Sequence, residues 1–202
     1  IFITTKIRNA NQGYDSAKKS FKKSLSALQT DTVDLLLIHW PKISDFSRTV
    51  ETWQALIDLR KEGLCRAIGV SNFTINLLEK LREEIDVIPQ ANQVEFHTFL
   101  YQKDLLEYCR DHQIQVEAYS PIARANFLDN DVLQKIAKKY GKTAAQIMLA
   151  WGVNHGLVVI PKSEHEGRIL ENADIFFEIE EQDMKELNHL GPERRLVKGI
   201  WS

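Results

Sequence analysis

Apolar positions fall into two alternating patterns along the chain. Short runs of β-branched and aliphatic residues end on polar side chains: residues 3–6 on Lys6, 35–39 on His39, 68–72 on Ser71 and Asn72, 94–97 on His97, 116–120 on Tyr119 and Ser120, and 158–163 on Lys162 and Ser163. Runs this apolar suit strands covered on both faces, as in a parallel sheet. Helical spacing fills the gaps. Ala17, Phe21, Leu25 and Leu28 form one inward stripe, with Lys18, Lys19, Lys22 and Lys23 outside it. Val50, Trp53, Leu56 and Ile57 mark a second helix that stops at Gly63. Thr74 can cap a third, with Leu77, Leu78 and Leu81 inward, and Leu105, Leu106 and Cys109 mark a fourth. Two further helices are predicted over 128–140 and from Thr143 to about His155, ending at Gly141 and Gly156, and shorter ones over 165–172 and 180–190.

Strand–helix alternation at about 25–40 residues per unit predicts an α/β chain built from βα repeats, and polar residues at strand C-terminal ends mark the catalytic face of a (β/α)8 TIM barrel. Six strands are visible, so the chain is expected to cover such a barrel from about its third strand onward, six of eight units. The two missing units would take ~60 residues at the usual size of the fold. Ile1 is an improbable biological start, and 1–202 is read as a single, N-terminally incomplete domain with no linker. The alternative is an open doubly wound sheet; against it, no glycine-rich phosphate loop follows the first strand.

Composition narrows the partners. With 202 residues, 44% hydrophobic and 27% charged, a sizeable core is available, and a net charge of −2 argues against general binding to nucleic acid or membrane surfaces. No apolar run approaches the roughly 18 residues of a membrane helix, and no signal-peptide pattern opens the chain, so a cytoplasmic protein is expected. Cys65 and Cys109 lack metal-ligand spacing; buried free thiols are expected, and no metal.

Candidate chemistry sits at the strand ends. Lys6 is a solvated gatekeeper, a Schiff-base nucleophile or an electrostatic tuner of a neighbouring acid. His39, before Trp40 and Pro41, is either a satisfied core residue or a donor to a substrate carbonyl. Ser71 with Asn72, and Asn92 with Gln93, either satisfy loop backbone or grip a planar amide ligand. Tyr119 offers a flat ring. Lys162, Ser163 and Arg168 gather around a predicted helix start, a cationic pocket that suits a phosphate; the competing reading is a solvated loop, because Glu164, Glu166 and Glu171 partly neutralise it.

Several strings occur together and in order: Thr4-Thr5-Lys6, Asp34-Leu35-Leu36-Leu37-Ile38-His39-Trp40-Pro41, Ala67-Ile68-Gly69-Val70-Ser71-Asn72-Phe73, Asn92-Gln93-Val94-Glu95-Phe96-His97, Tyr119-Ser120-Pro121 and Ile160-Pro161-Lys162-Ser163. On these the chain resembles the aldo-keto reductase family, from residue 1 to about 196, and within it the bacterial diketogluconate reductase group. The resemblance implies NADPH-dependent reduction of an aldehyde or ketone to an alcohol. Lys6 would lower the pKa of a catalytic tyrosine; His39 would orient the carbonyl, with Trp40 walling the pocket. Ser71, Asn72 and Gln93 would hold the nicotinamide carboxamide, and Tyr119 would stack on its ring. Ser120, Pro121 and Ile122 would follow the pyrophosphate. Lys162, Ser163 and Arg168 would clamp the 2′-phosphate, with Glu171 and Asn172 addressing the adenine. A small carbonyl substrate and a monomer are implied.

The departures matter as much. The family's proton-donating tyrosine and its supporting aspartate lie upstream of the lysine-bearing strand, where this sequence opens, and neither Tyr14 nor Tyr101 can stand in. Thr98 replaces a usual proline, Gly167 a usual helix former, and the tail beyond Trp201 is expected to be absent or short. Two rivals stay open: a non-catalytic NADPH-binding redox sensor, and a barrel lyase using Lys6 as a Schiff base.

Overall fold

Strand order separates the two architectures open at the sequence level. The computed structural model describes residues 1–197 and 199. It contains β1 (Thr4–Ile7), α1 (Tyr14–Leu28), β2 (Val33–Ile38), α2 (Phe46–Lys61), β3 (Cys65–Ser71), α3 (Ile75–Glu84), β4 (Ala91–Glu95), α4 (Lys103–Asp111), β5 (Gln115–Tyr119), α5 (Asp131–Tyr140), α6 (Ala144–Asn154), β6 (Val158–Val159), α7 (Glu166–Ala173) and α8 (Glu181–Leu187). Across the sheet the strands follow chain order, β1 to β6. A doubly wound sheet reverses direction at a switch point; steady progression is what a β/α barrel requires. The fold is of the barrel class.

Contacts gather into two units, Ile1–Gln93 with Glu107–Gln115, and Val94–Leu106 with Val116–Ser202. In the first, parallel register aligns Lys6 with Leu37, Leu37 with Gly69, Gly69 with Ala91, and Ser71 with Gln93. Side chains alternate faces along a strand. Lys6, Leu37, Gly69, Ser71, Ala91 and Gln93 therefore share one face, where Leu35, Leu37, Ala67 and Ala91 pack as an apolar cluster. Gly69 is required there: a Cβ would fall 2.4 Å from the Ala91 carbonyl oxygen and 2.8 Å from Leu37 Cδ2. The other face, with Ile7, Leu36, Ile38, Ile68 and Val70, is buried, and α2 contributes Trp53, whose indole N–H donates to the Val87 carbonyl at 3.2 Å.

In the second unit Trp151 of α6 packs against Phe96 and Tyr101, and its indole N–H donates to Asn188 Oδ1 at 2.7 Å. A capping box opens α6: the Thr143 hydroxyl accepts from the Gln146 backbone N–H, and Gln146 Oε1 accepts from that of Thr143. Two orphan donors of the first turn are thereby satisfied.

Local expectations hold with five corrections, the first being that α8 spans Glu181–Leu187 rather than 180–190. Leu28 is 46% exposed: it is the last residue of α1, and the chain turns away through left-handed Gln29 (φ 54°). Helix α5 starts at Asp131 rather than 128, because Asn130 caps it, accepting from the Val132 and Leu133 amides. Strand β4 spans Ala91–Glu95, which moves Asn92 and Gln93 from its approach into the strand and leaves Phe96 and His97 beyond its end. Strand β6 is only Val158–Val159; Pro161 lacks the N–H that would extend it. Thr74 caps α3 as expected, its hydroxyl accepting from Leu77 N–H. Both cysteines are free and buried, and burial pushes the thiols up, Cys65 to about 11 and Cys109 to about 12.

Candidate active site

The first unit assembles an ammonium, an imidazole and two amides. Lys6, half-buried on β1, donates from Nζ to Gln93 Oε1 at 2.5 Å. Gln93 of β4 thus faces the lysine across the inward row. Asn92, one residue earlier, points the other way: its Nδ2 donates to the Phe73 carbonyl at 2.9 Å and its Oδ1 accepts from Phe73 N–H. Asn92 therefore satisfies loop backbone, while Gln93 belongs to the site.

His39 follows β2 and extends the row of Leu35 and Leu37. Its backbone N–H donates to the Ile7 carbonyl at 3.0 Å, and its ring centre lies 6.3 Å from that of Trp40. Burial, then the positive charges of Lys6 and Arg8, hold its imidazole below the usual histidine range. Near neutral pH the ring is uncharged and keeps one N–H to donate.

Ser71 is fully buried; its hydroxyl donates to the Gln93 carbonyl at 2.7 Å and accepts from Asn72 Nδ2 at 3.0 Å. Asn72 sits in the left-handed region (φ 65°), a conformation asparagine tolerates better than most residues. Its Nδ2 also donates to the His39 carbonyl at 3.0 Å, tying the ends of β2 and β3 together. Sequence reading missed the support behind Trp40: buried Gln12 donates from Nε2 to the Trp40 carbonyl at 2.6 Å, and buried Thr49 donates to Gln12 Oε1 at 3.1 Å. Neither position lies in an apolar run or a strand end, so no periodic signal marks it.

The second unit holds the other predicted residues. Tyr119 ends β5, half-buried. Burial first, then the Glu95 carboxylate, push its phenol up to about 12. The chain then turns through left-handed Ser120 (φ 51°), Ala123, Arg124 and Ala125, closed by the Ala123 N–H bonding to the Ser120 carbonyl at 2.8 Å. Beyond this turn lies a cavity of about 470 Å³, and Ile122, Lys162, Ser163, Arg168, Glu171 and Asn172 line it. Tyr119, Ser120 and Pro121 are not among its walls. Lys162 pairs with Glu164 at 2.5 Å, both side chains well exposed. Ser163 Oγ accepts from His165 N–H at 3.1 Å, and Arg168 lies in the first turn of α7. Two cations and a hydroxyl around a helix start form a donor set that fits a phosphate, with Glu164 and Glu171 partly offsetting the charge. Among the described residues, no group of three or more His, Cys, Asp or Glu side chains could hold a metal ion.

Comparison with known proteins decides the family. A model described as the Aldo/keto reductase family matches residues 1–191. The chain belongs to the aldo/keto reductase family. It is 48% identical to glyoxal reductase of Bacillus subtilis over 97% of its own length and 70% of that protein. With methylglyoxal reductase DkgA of Escherichia coli K12 the identity is 40%, over 97% of this chain and 71% of that one. Among solved structures, a mutant of Gox0644 in complex with NADPH is 38% identical with a TM-score of 0.93, covering 98% of this chain and 73% of that one.

Within this aldo/keto reductase frame the sequence reading overlooked one further group. Glu95 is fully buried, and its carboxylate receives backbone N–H groups from Leu196 and Val197. The signal available in the sequence is a carboxylate set between two apolar residues, Val94 and Phe96, at the end of β4. Trp201, taken as marking the tail, lies outside the described residues. No helix among the described residues is long and apolar enough to cross a membrane.

Proposed function

We propose that the protein reduces small aldehydes and ketones, dicarbonyls such as glyoxal and methylglyoxal among them, at the expense of NADPH. The observation that carries this reading is the shared face of Lys6, His39 and Gln93 at the C-terminal ends of parallel strands, in a chain of the aldo/keto reductase family. The printed names of its relatives, glyoxal and methylglyoxal reductase, support the substrate class, and the NADPH complex of its structural neighbour supports the cofactor. The protein is read as a cytoplasmic monomer whose residues 1–202 belong to one barrel domain.

His39, uncharged, donates its N–H to the substrate carbonyl oxygen and sets the carbonyl's orientation, with Trp40 as a wall. Lys6 holds a positive charge beside the reacting centre and favours ionisation of the tyrosine that delivers the proton. That tyrosine is supplied from outside residues 1–202: Tyr14 donates to Asp58 at 3.0 Å, and Tyr101 stacks on His155 within an aromatic cluster. Gln93, with Ser71 and Asn72, addresses the nicotinamide carboxamide, and Tyr119 stacks on the ring. Ser120, Pro121 and Ile122 follow the pyrophosphate; Lys162, Ser163 and Arg168 take the 2′-phosphate, and Glu171 and Asn172 the adenine. Bound there, NADPH supplies a hydride from its nicotinamide.

The test is cofactor discrimination together with turnover. The full-length protein should consume NADPH with methylglyoxal, and replacing both Lys162 and Arg168 by alanine should raise the NADPH dissociation constant about 100-fold while moving that of NADH less than about twofold. An equal rise for both cofactors contradicts the phosphate clamp. Borohydride trapping of methylglyoxal on Lys6, without NADPH consumption, contradicts the reductase reading in favour of a Schiff-base enzyme.

A further inference from the structure

The buried carboxylate of Glu95 has no part in the chemistry above. Its side chain is fully enclosed at the end of β4, and an enclosed carboxylate is costly unless hydrogen-bond donors surround it. Three donors do. His97 Nε2 lies 3.3 Å from Oε1. Leu196 N–H reaches Oε1 at 2.7 Å, and Val197 N–H reaches Oε2 at 3.0 Å. Because Nε2 faces a carboxylate it carries a proton and donates to Glu95. The ring's Nδ1 is buried without a hydrogen-bond partner, so the hydrogen bonding of the His97 ring goes to Glu95.

The segment donating to Glu95 is tied at four consecutive residues. Arg194 N–H donates to the Phe99 carbonyl at 2.7 Å. Arg195 Nη2 donates to Gln102 Oε1 at 3.1 Å, and Gln102 in turn donates from Nε2 to the Glu95 carbonyl at 2.7 Å. Leu196 and Val197 complete the series on the carboxylate itself. Residues 194–197 have no regular secondary structure, so no helix or strand ladder holds them. Two of the four ties end on one side chain whose charge cannot reach water. The dependence is mutual: releasing the segment strips the carboxylate of two of its three donors, and removing the carboxylate orphans two backbone amides. Arg195, fixed by this arrangement, lies close enough to the Tyr119 phenol to influence its ionisation.

We infer that Glu95 is a positioning residue: it pins residues 194–197 at the C-terminal end of β4, the strand end at which β/α barrels build their sites, and through them sets the affinity for the carbonyl substrate. The pin stands on the geometry alone; its consequence for substrate rests on the reductase reading.

Hydrogen exchange and steady-state kinetics on the full-length protein test it. In Glu95→Ala the amides of Leu196 and Val197 should exchange about tenfold faster or more, with a smaller change in Glu95→Gln, which keeps one acceptor. Amides of Leu36 and Ile38 serve as the reference and should not move. Leu196→Pro removes one donor from the other side without touching Glu95, and should expose Val197 in the same way; it carries the test where the Glu95 variants fail to fold. In the same variants KM for methylglyoxal should rise about tenfold, with kcat and the NADPH dissociation constant within about twofold. Wild-type exchange at Leu196 and Val197 in Glu95→Ala, and at Val197 in Leu196→Pro, overturns the pin. Faster exchange with unchanged KM overturns its role in positioning. A wild-type protein that turns over no carbonyl compound refutes the reductase reading instead, and the exchange rates still decide the pin.

Discussion

His39 illustrates how one side chain's surroundings select its chemistry. Burial and two nearby cations keep the imidazole neutral, so it can polarise a carbonyl by donating a hydrogen bond without giving up a full proton. A histidine whose pKa is lowered on folding binds its proton more readily in the unfolded chain. Above the ordinary value near 6.5 it therefore has no effect on stability, and as pH falls through that value it costs stability, until the folded-state pKa is passed. Denaturation followed from pH 7.5 to 5 should show this loss in the wild type and a flatter profile in His39→Gln; identical profiles contradict the assignment. In turnover, His39→Ala should lower kcat about 100-fold or more while leaving the NADPH dissociation constant within about twofold. Loss of cofactor binding with unchanged kcat would remove the role given to His39. His39 and Lys6 were legible because each closes an apolar run. The residue pattern alone did not separate Asn92 from Gln93, since two adjacent carboxamides look alike until the strand's phase is known; the family resemblance pointed to Gln93, and the pairing of Ser71 with Gln93 supplies the phase. Glu95 was hidden for a related reason, since its donors lie about a hundred positions along the chain, at Leu196 and Val197.

At the scale of elements, the sequence specifies where helices and strands lie better than where they stop. The sequence pattern located the eight α-helices of the described residues but none of the three short 3-10 turns, and the start of α5 was decided by the Asn130 cap and the end of β6 by Pro161, each a single side chain overruling an apolar pattern. Two substitutions test the local account. Gly69→Ala places a methyl group 2.4 Å from the Ala91 carbonyl oxygen, and backbone cannot yield as a flexible side chain does; a loss of about 1–3 kcal/mol is expected in chemical denaturation. A change below ~0.5 kcal/mol contradicts the register of β2, β3 and β4. Thr143→Ala removes half of the capping box of α6 and should cost about 1 kcal/mol. No change there would mean that Gln146, which also donates to the Glu171 and Asp174 carbonyls, holds the helix start by itself.

For the molecule as a whole, βα alternation announced a barrel and chain-order strands bear it out, whereas the division of contacts into two units had no counterpart in composition or linkers. The first unit carries Lys6, His39 and Gln93; the second carries Tyr119 and the cationic cavity with Lys162 and Arg168. The proposed reduction assigns a role to each set. The most direct measurement follows the hydrogen itself: NADPH deuterated at C4 of the nicotinamide is supplied to the full-length protein with methylglyoxal, and the alcohol product is weighed by mass spectrometry. One deuterium on the newly formed carbinol carbon is the predicted result, and an alcohol product carrying none would contradict the account.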